Sequence, residues 1–277
     1  MKIIIPMAGL GTRFQQVADQ NPEYKKPKPF ITVKGHPMIR WATGSLPFVE
    51  HPGQTPRVGR LRVLPKDLIF IILKDHDLAH SLAAKLREIY SDEIKVITLD
   101  QVTRGAAETA YSAKDLLDPE EDLLVSDTDH FFKGEHLARE IENKEEDIAG
   151  VIPVFATCDE IPRWSYSLVS PETGFVSRVA EKDDALRRAG AYANIGAYYF
   201  SKARHFLDAA AEAINNNQTF GDEGKKEFYI APLYQKLIDR GLKVRVAVTP
   251  KTDACGLGTP RDLEDFLANF NHLSFYE

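Results

Sequence analysis

Three groups of residues in this chain have types and spacings suited to chemistry on phosphate. The first is Gly9-Leu10-Gly11-Thr12-Arg13, directly after the apolar run Ile3-Ile4-Ile5. A chain that turns sharply here exposes backbone N–H groups, and glycines let those groups approach phosphate oxygens with no Cβ in the way. Arg13 adds a planar fork of donors. A dinucleotide fingerprint needs a third glycine where this sequence has Phe14, and a Walker loop needs a G-K-[ST] ending that is absent. The second group is Lys25-Lys26-Pro27-Lys28-Pro29-Phe30. Prolines on both sides of Lys28 restrict its backbone, so its charge is presented at low entropic cost. The third is Ser126-Asp127-Thr128-Asp129. Two carboxylates so close repel unless positive charge lies nearby. Mg²⁺ suits such a place, because it prefers a few carboxylates completed by phosphate oxygens and water.

The elements that must position these groups alternate. Residues 2–6, 68–73, 94–99, 123–125 and 148–154 read as buried strands. Residues 37–46, 78–90, 106–117 and 133–143 read as helices between them. This rhythm predicts an α/β fold with a doubly wound, mostly parallel, Rossmann-like sheet, whose functional loops lie at the carboxyl ends of the strands. Residues 50–67, rich in Pro, Gly and Arg, read as an inserted surface loop or small hairpin. After residue 155 the rhythm changes. A hairpin is predicted from 165–169 and 175–180, with turn residues Ser170-Pro171-Glu172-Thr173-Gly174. A strand at 195–200, helices at 203–214 and 230–240, a strand at 243–248 and a helix capped by Thr259-Pro260 follow.

Bulk properties narrow the classes. The chain has 277 residues and a net charge of −6, which gives no support for a nucleic-acid groove. No apolar run approaches the ~18 residues of a membrane span. The two cysteines, Cys158 and Cys255, show no metal-binding spacing and read as reduced thiols. A cytoplasmic protein is expected, with no nucleic-acid or membrane partner and with a homo-oligomer left open.

A strand, G-x-G-T-R, K-P and then Gly35-His36-Pro37-Met38-Ile39 resembles the opening of the sugar-phosphate nucleotidylyltransferases, the NDP-sugar pyrophosphorylase-like family. The likeness extends over nearly the whole chain. It implies a single domain of the nucleotide-diphospho-sugar transferase type, with a nucleotide-binding half at 1–154 and an acceptor-binding half, carrying the hairpin, at 155–277. It implies that Ala8, Gly9, Leu10, Gly11 and Thr12 hold a nucleoside triphosphate, that Arg13 and Lys28 stabilise the attacked α-phosphate and departing pyrophosphate, and that Asp129 holds Mg²⁺, with Asp127 beside it. Gln101 and Gly105, in Gln101-Val102-Thr103-Arg104-Gly105-Ala106, resemble residues that face the base.

Val179-Ala180-Glu181-Lys182 and Asn194-Ile195-Gly196-Ala197-Tyr198 resemble the segments that bind the phosphorylated acceptor, through Glu181, Lys182, Asn194 and Gly196. Glu181 and Lys182, adjacent on one strand, are expected to point to opposite faces, which ranks Glu181 and Asn194 above Lys182. Gly258-Thr259-Pro260 with Asp262 resembles the family's late segment, with one departure: Gly256 stands where many members have a second metal-binding aspartate. Asp253, three residues upstream, is the candidate substitute, directly or through water; otherwise Asp129 and the phosphates mainly hold the metal, or the site has lost part of its catalytic power. His130 and Cys255 read as packing residues. The base is left open among C, U and T. A non-catalytic binding protein of the same fold and a nicotinamide oxidoreductase are the alternatives.

Overall fold

The computed structural model describes residues 1–52, 59–221 and 226–270. The apolar runs become the centre of a ten-stranded mixed sheet. Its order is Val176–Glu181, Ser165–Val169, Tyr192–Asn194, Ile148–Phe155, Ala197–Phe200, Leu123–Ser126, Lys2–Pro6, Leu68–Leu73 and Lys95–Leu99, with Lys243–Val248 alongside Ile148–Phe155. Lys2–Pro6 pairs in parallel with Leu123–Ser126 and Leu68–Leu73, and Leu68–Leu73 with Lys95–Leu99. From Ala197–Phe200 towards the hairpin the pairs are antiparallel. The parallel part comprises Leu123–Ser126, Lys2–Pro6, Leu68–Leu73 and Lys95–Leu99, and Lys243–Val248 pairs in parallel with Ile148–Phe155.

Strand side chains alternate between two cores. Ile3, Ile5, Phe70 and Ile72 face one, which Leu82, Leu86, Leu137 and Ile141 close from their helices. Ile4, Ile69 and Ile71 face the other, with Ala107, Ala110, Phe206 and Leu237. Burial on both faces explains why these strands lack a polar–apolar alternation. A third cluster bears directly on function. Phe14, Ile31, Trp41, Phe131, Leu257 and Phe266 pack together. They come from segments adjoining Arg13, Lys28, Asp129 and Gly258, so one apolar plug fixes four otherwise distant stretches of chain.

The structure departs from the sequence expectations in specific places. The helix expected at 78–90 is two, Lys74–His80 and Leu82–Ile89, broken at Ser81 with φ of 53°. The Asp77 carboxylate accepts from the Ala83 N–H and starts the second helix, while Leu78 is left exposed. The helix at 106 ends at Tyr111 and a 3₁₀ turn, Lys114–Leu116, follows. The strand expected at 195–200 begins at Ala197, after a separate Tyr192–Asn194. Two short strands, His130–Phe132 and Ala254–Gly256, form an unforeseen antiparallel pair. Residues 53–58 of the segment read as an inserted loop lie outside the described residues. Its flanks are anchored, because Val63 is buried and the Glu142 carboxylate accepts from the Arg60 and Leu61 N–H groups. Among the described residues no helix is long and apolar enough to cross a membrane. Both cysteines are free.

Candidate active site

The carboxyl ends of the central strands open into a cleft of about 630 Å³. Residues Ala8–Arg13, Lys28, Asp127, Asp129 and Gly258 line it, together with Lys182, Lys226, Glu227 and Tyr229. Gly11 has φ of +66°, a conformation that favours glycine. A Cβ there would also stand 3.3 Å from the Cβ of Lys28, so the glycine lets the lysine-bearing turn pass beneath the loop. Lys28 Nζ donates to Asp129 Oδ2 at 2.8 Å, across 101 residues of sequence, and both side chains keep about a quarter of their surface.

Two glycines make room for the two carboxylates. A Cβ on Gly258 would lie 2.8 Å from Asp129 Oδ2, and a Cβ on Gly196 would lie 2.5 Å from Asp127 Oδ2. The Asp127 N–H donates to the Gly196 carbonyl at 2.6 Å. This is why the strand expected at 195–200 breaks: the chain yields at Ile195-Gly196 to seat Asp127.

Charge separates the two aspartates. Burial works to raise Asp129, but the Lys28 ammonium and its hydrogen bond, with help from Arg13, hold it below the usual carboxylate range. Asp127 is pushed up, first by burial and then by the Asp129 charge. Glu181 is pushed up to about 7, chiefly by burial. His130 is buried, with neither ring nitrogen partnered among the described residues, and burial drives it down to about 4. It is a neutral ring tilted at 50° against Phe132, with centroids 5.5 Å apart, in keeping with a packing role. Burial pushes the Cys255 thiol up to about 12, which makes it a poor nucleophile.

Three sequence readings are corrected by position. Asp253 sits opposite Lys133, bonded to it at 2.9 Å, at the far end of the short strand pair and outside the cleft lining. Among the described residues no group of three or more His, Cys, Asp or Glu forms a metal cage. In this fold Asp253 is paired with Lys133 and stands apart from Asp129. Gln101 is exposed and outside the lining, where Val102, Thr103, Arg104 and Gly105 stand instead. Lys182, ranked below Glu181 and Asn194, is the one of the three that lines the cleft. The strand ends at Glu181, and Lys182 has φ of +50°, so strand alternation no longer applies to it. Asn194 is buried behind the cleft. Its amide accepts from Ser167 and donates to Ser165, whose side chain also hydrogen-bonds Glu181.

The sequence reading missed Arg104, Lys226, Glu227 and Tyr229, all on the lining. The Arg104 guanidinium is fixed by Glu108 and lies over the Phe228 ring. Phe228 N–H donates to the Arg104 carbonyl, and its own carbonyl accepts from Ala107. Gly105, with φ of +148°, permits this approach, since a Cβ would meet Phe228 N at 2.5 Å. The positive-φ glycine was the available signal; its partner 123 residues away carried none.

Residues 59–252 match the family model described as nucleotidyl transferase. The chain belongs to the nucleotidyl transferase family. The matched span of this nucleotidyltransferase holds Asp127, Asp129, Glu181, Lys182, Asn194 and Gly196, while Gly9–Arg13 and Lys28 precede it. Solved structures resemble the whole fold. The nucleoside-diphosphate-sugar pyrophosphorylase from Vibrio cholerae RC9 is 23% identical with a TM-score of 0.70, covering 96% of this chain and 99% of that one. The inositol-1-phosphate CTP transferase from T. maritima is 13% identical with a TM-score of 0.65, covering 98% of this chain and 96% of that one. No curated protein matches the chain in sequence.

Proposed function

We propose that this nucleotidyltransferase couples a nucleoside triphosphate to a phosphorylated small molecule, a sugar phosphate, and releases pyrophosphate. The observation that carries this reading is the Lys28–Asp129 pair at 2.8 Å in the cleft that the glycine loop and Arg13 also line. Residues read as triphosphate-binding thus converge on one point. An acceptor phosphate oxygen forms a bond to the α-phosphorus, the bond to the bridging oxygen breaks, and pyrophosphate leaves with that electron pair. A phosphate monoester is already anionic near neutrality, so no general base is required. Positioning and positive charge are what the protein must supply.

Arg13 and Lys28 offset charge on the α-phosphate and leaving group, and the Ala8–Thr12 loop holds the triphosphate. Gly105, with Arg104 behind it, borders the base. Asp127 and Asp129, with phosphate oxygens, suit Mg²⁺, which would add Lewis-acid neutralisation of the transferring phosphate. Lys182, at the other end of the cleft, is placed for the acceptor's phosphate. Glu181, next to Lys182 and just off the lining, is assigned to its hydroxyls, with Asn194 and Gly196 supporting Glu181 and Asp127 from behind. The nucleotide half is 1–154 and the acceptor half 155–277, in a cytoplasmic setting.

Pyrophosphate release, assayed with CTP, UTP and dTTP against a panel of sugar 1-phosphates and other phosphorylated alcohols, tests the reading. Release that requires both partners is expected. Absence of release with every pair, from protein that binds triphosphate, would leave a binding protein and overturn the proposal.

A further inference from the structure

The cleft offers few carboxylates to a divalent ion, and the principal one is engaged. Asp129 is bonded to Lys28. The strand Ala254–Gly256, which runs beside His130–Phe132, brings no replacement. Asp253 is tied to Lys133. Asp262, near Gly256, is tied to Arg163 at 2.6 Å and accepts from the Thr259 hydroxyl. A Cβ on Gly256 would stand 3.3 Å from the Trp164 ring, so that indole fills the space a longer side chain would take. Arg163 stacks over the same ring, and Lys251 lies 5.7 Å from its centroid. The surroundings of Gly256 are thus apolar and cationic, and they stand off the cleft lining.

From this juxtaposition we infer that Lys28 is a gate on Asp129: it occupies the carboxylate in the free protein, and a divalent ion gains Asp129 only when a polyphosphate draws Lys28 away. The inference rests on reading the cleft as a nucleotidyl-transfer site. One lysine serves two successive partners. In the free protein its ammonium neutralises Asp129. With triphosphate present, several phosphate oxygens compete for the same ammonium and also provide the ligands Mg²⁺ prefers alongside a carboxylate. Metal and triphosphate therefore bind with positive cooperativity, and each raises the affinity for the other by the same factor. Loading of the cleft by metal alone, which would place a cation where no substrate lies, is suppressed.

Binding of Mn²⁺, followed by the electron paramagnetic resonance of the free ion, tests this without turnover. Lys28→Met is expected to bind one Mn²⁺ at least tenfold more tightly than the unaltered protein, about 1.4 kcal/mol. Lys28→Arg, which keeps the cation, should stay near the unaltered value. The gain should vanish in Lys28→Met/Asp129→Asn. An unchanged or weaker affinity in Lys28→Met, or a gain that survives loss of Asp129, overturns the gate. If Lys28→Met does not fold, water-proton relaxation with unaltered protein decides. Enhancement by Mn²⁺ should then require inorganic tripolyphosphate, and equal enhancement by Mn²⁺ alone overturns the inference. Pyrophosphate release by the unaltered protein, with no metal gain in Lys28→Met, sinks the gate and leaves the proposed function. A metal gain in Lys28→Met, when the unaltered protein releases no pyrophosphate, does the reverse.

Discussion

The two ends of the cleft handle carboxylates in opposite ways. At the phosphate end, Asp129 meets Lys28 directly, with Arg13 near enough to lower its proton affinity further. At the acceptor end, Glu181 is pushed up to about 7 by burial, backed by Ser165 and the buried amide of Asn194. Opposite charge stabilises the first carboxylate in its ionised form. Burial weakens ionisation of the second, against the opposing pull of the Lys182 charge and the Ser165 hydrogen bond. The contrast suits the two ligands: a polyphosphate needs cations that stay charged, whereas hydroxyls need a carboxyl that accepts or donates a hydrogen bond.

The largest effect should come from breaking the charged end. Asp129→Asn keeps the shape but removes the charge that orders Lys28. Loss of one preorganised electrostatic partner in an active site typically costs about 10²–10³ in kcat, and a fall of that size is expected in steady-state pyrophosphate release. Retention of more than about a tenth of the activity would mean that the charged end is not where the reaction occurs. Next comes the hinge between the ends. Gly196→Ala inserts a Cβ 2.5 Å from Asp127 Oδ2 and 2.8 Å from its Cβ. Strain of this kind costs about 1–3 kcal/mol, readable by urea unfolding. An unchanged midpoint would mean that Asp127 is not seated against Gly196.

A smaller effect sharpens the electrostatic contrast. The Glu181 carboxyl lies at about 7 in the folded protein and at 4.5 as its ordinary value. Between those values the folded state holds more protons than the unfolded state, so this group makes stability fall as pH rises from about 4.5 to 7. Glu181→Gln removes that contribution. Over this interval its stability should fall by about 1–2 kcal/mol less than that of the unaltered protein, below the full 1.36 kcal/mol per unit because the carboxyl keeps some contact with water. Urea unfolding at pH 5, 6 and 7 measures it; parallel curves for the two proteins would contradict the assignment. Asp127 shifts in the same direction and stays in both proteins; the Glu181 charge is the last-named of its causes, so removing it reduces that shift only in part.

How much of this was legible in the sequence follows the range of the interactions. Uniformly apolar strands such as Leu68–Leu73 announce burial on both faces by their own composition. The glycine loop and Lys28 carry local signals, a tight turn and a proline-flanked cation. Strand alternation misplaced Lys182, because one left-handed residue at the strand's end is invisible in a pattern of residue types. The break at Ser81 was equally hidden, since it depends on Asp77 reaching the Ala83 N–H. The 226–229 segment was missed because its place is set by Phe228 bonding to Arg104 and Ala107. That pairing is tertiary, and Gly105 alone hints at it.

Asp253 gives the smallest expected effect and tests the comparison from outside the cleft. By sequence it was the available substitute for the absent second metal carboxylate. In the fold its oxygen is 2.9 Å from Lys133 Nζ, and those side chains retain 27% and 44% of their surface, respectively. An ion pair so open to water contributes about 0–1 kcal/mol. Asp253→Asn should therefore shift the unfolding free energy by no more than about 0.5 kcal/mol. It should also leave the dependence of pyrophosphate release on Mg²⁺ concentration unchanged, because the carboxylate faces Lys133 and not the Lys28–Asp129 pair. A rise in the Mg²⁺ requirement in Asp253→Asn would show that the short strand pair moves when substrates bind, carrying Asp253 to the phosphate end. The charged end would then have a third carboxylate beside Asp127 and Asp129, and the separation of Asp253 from it would have to be given up.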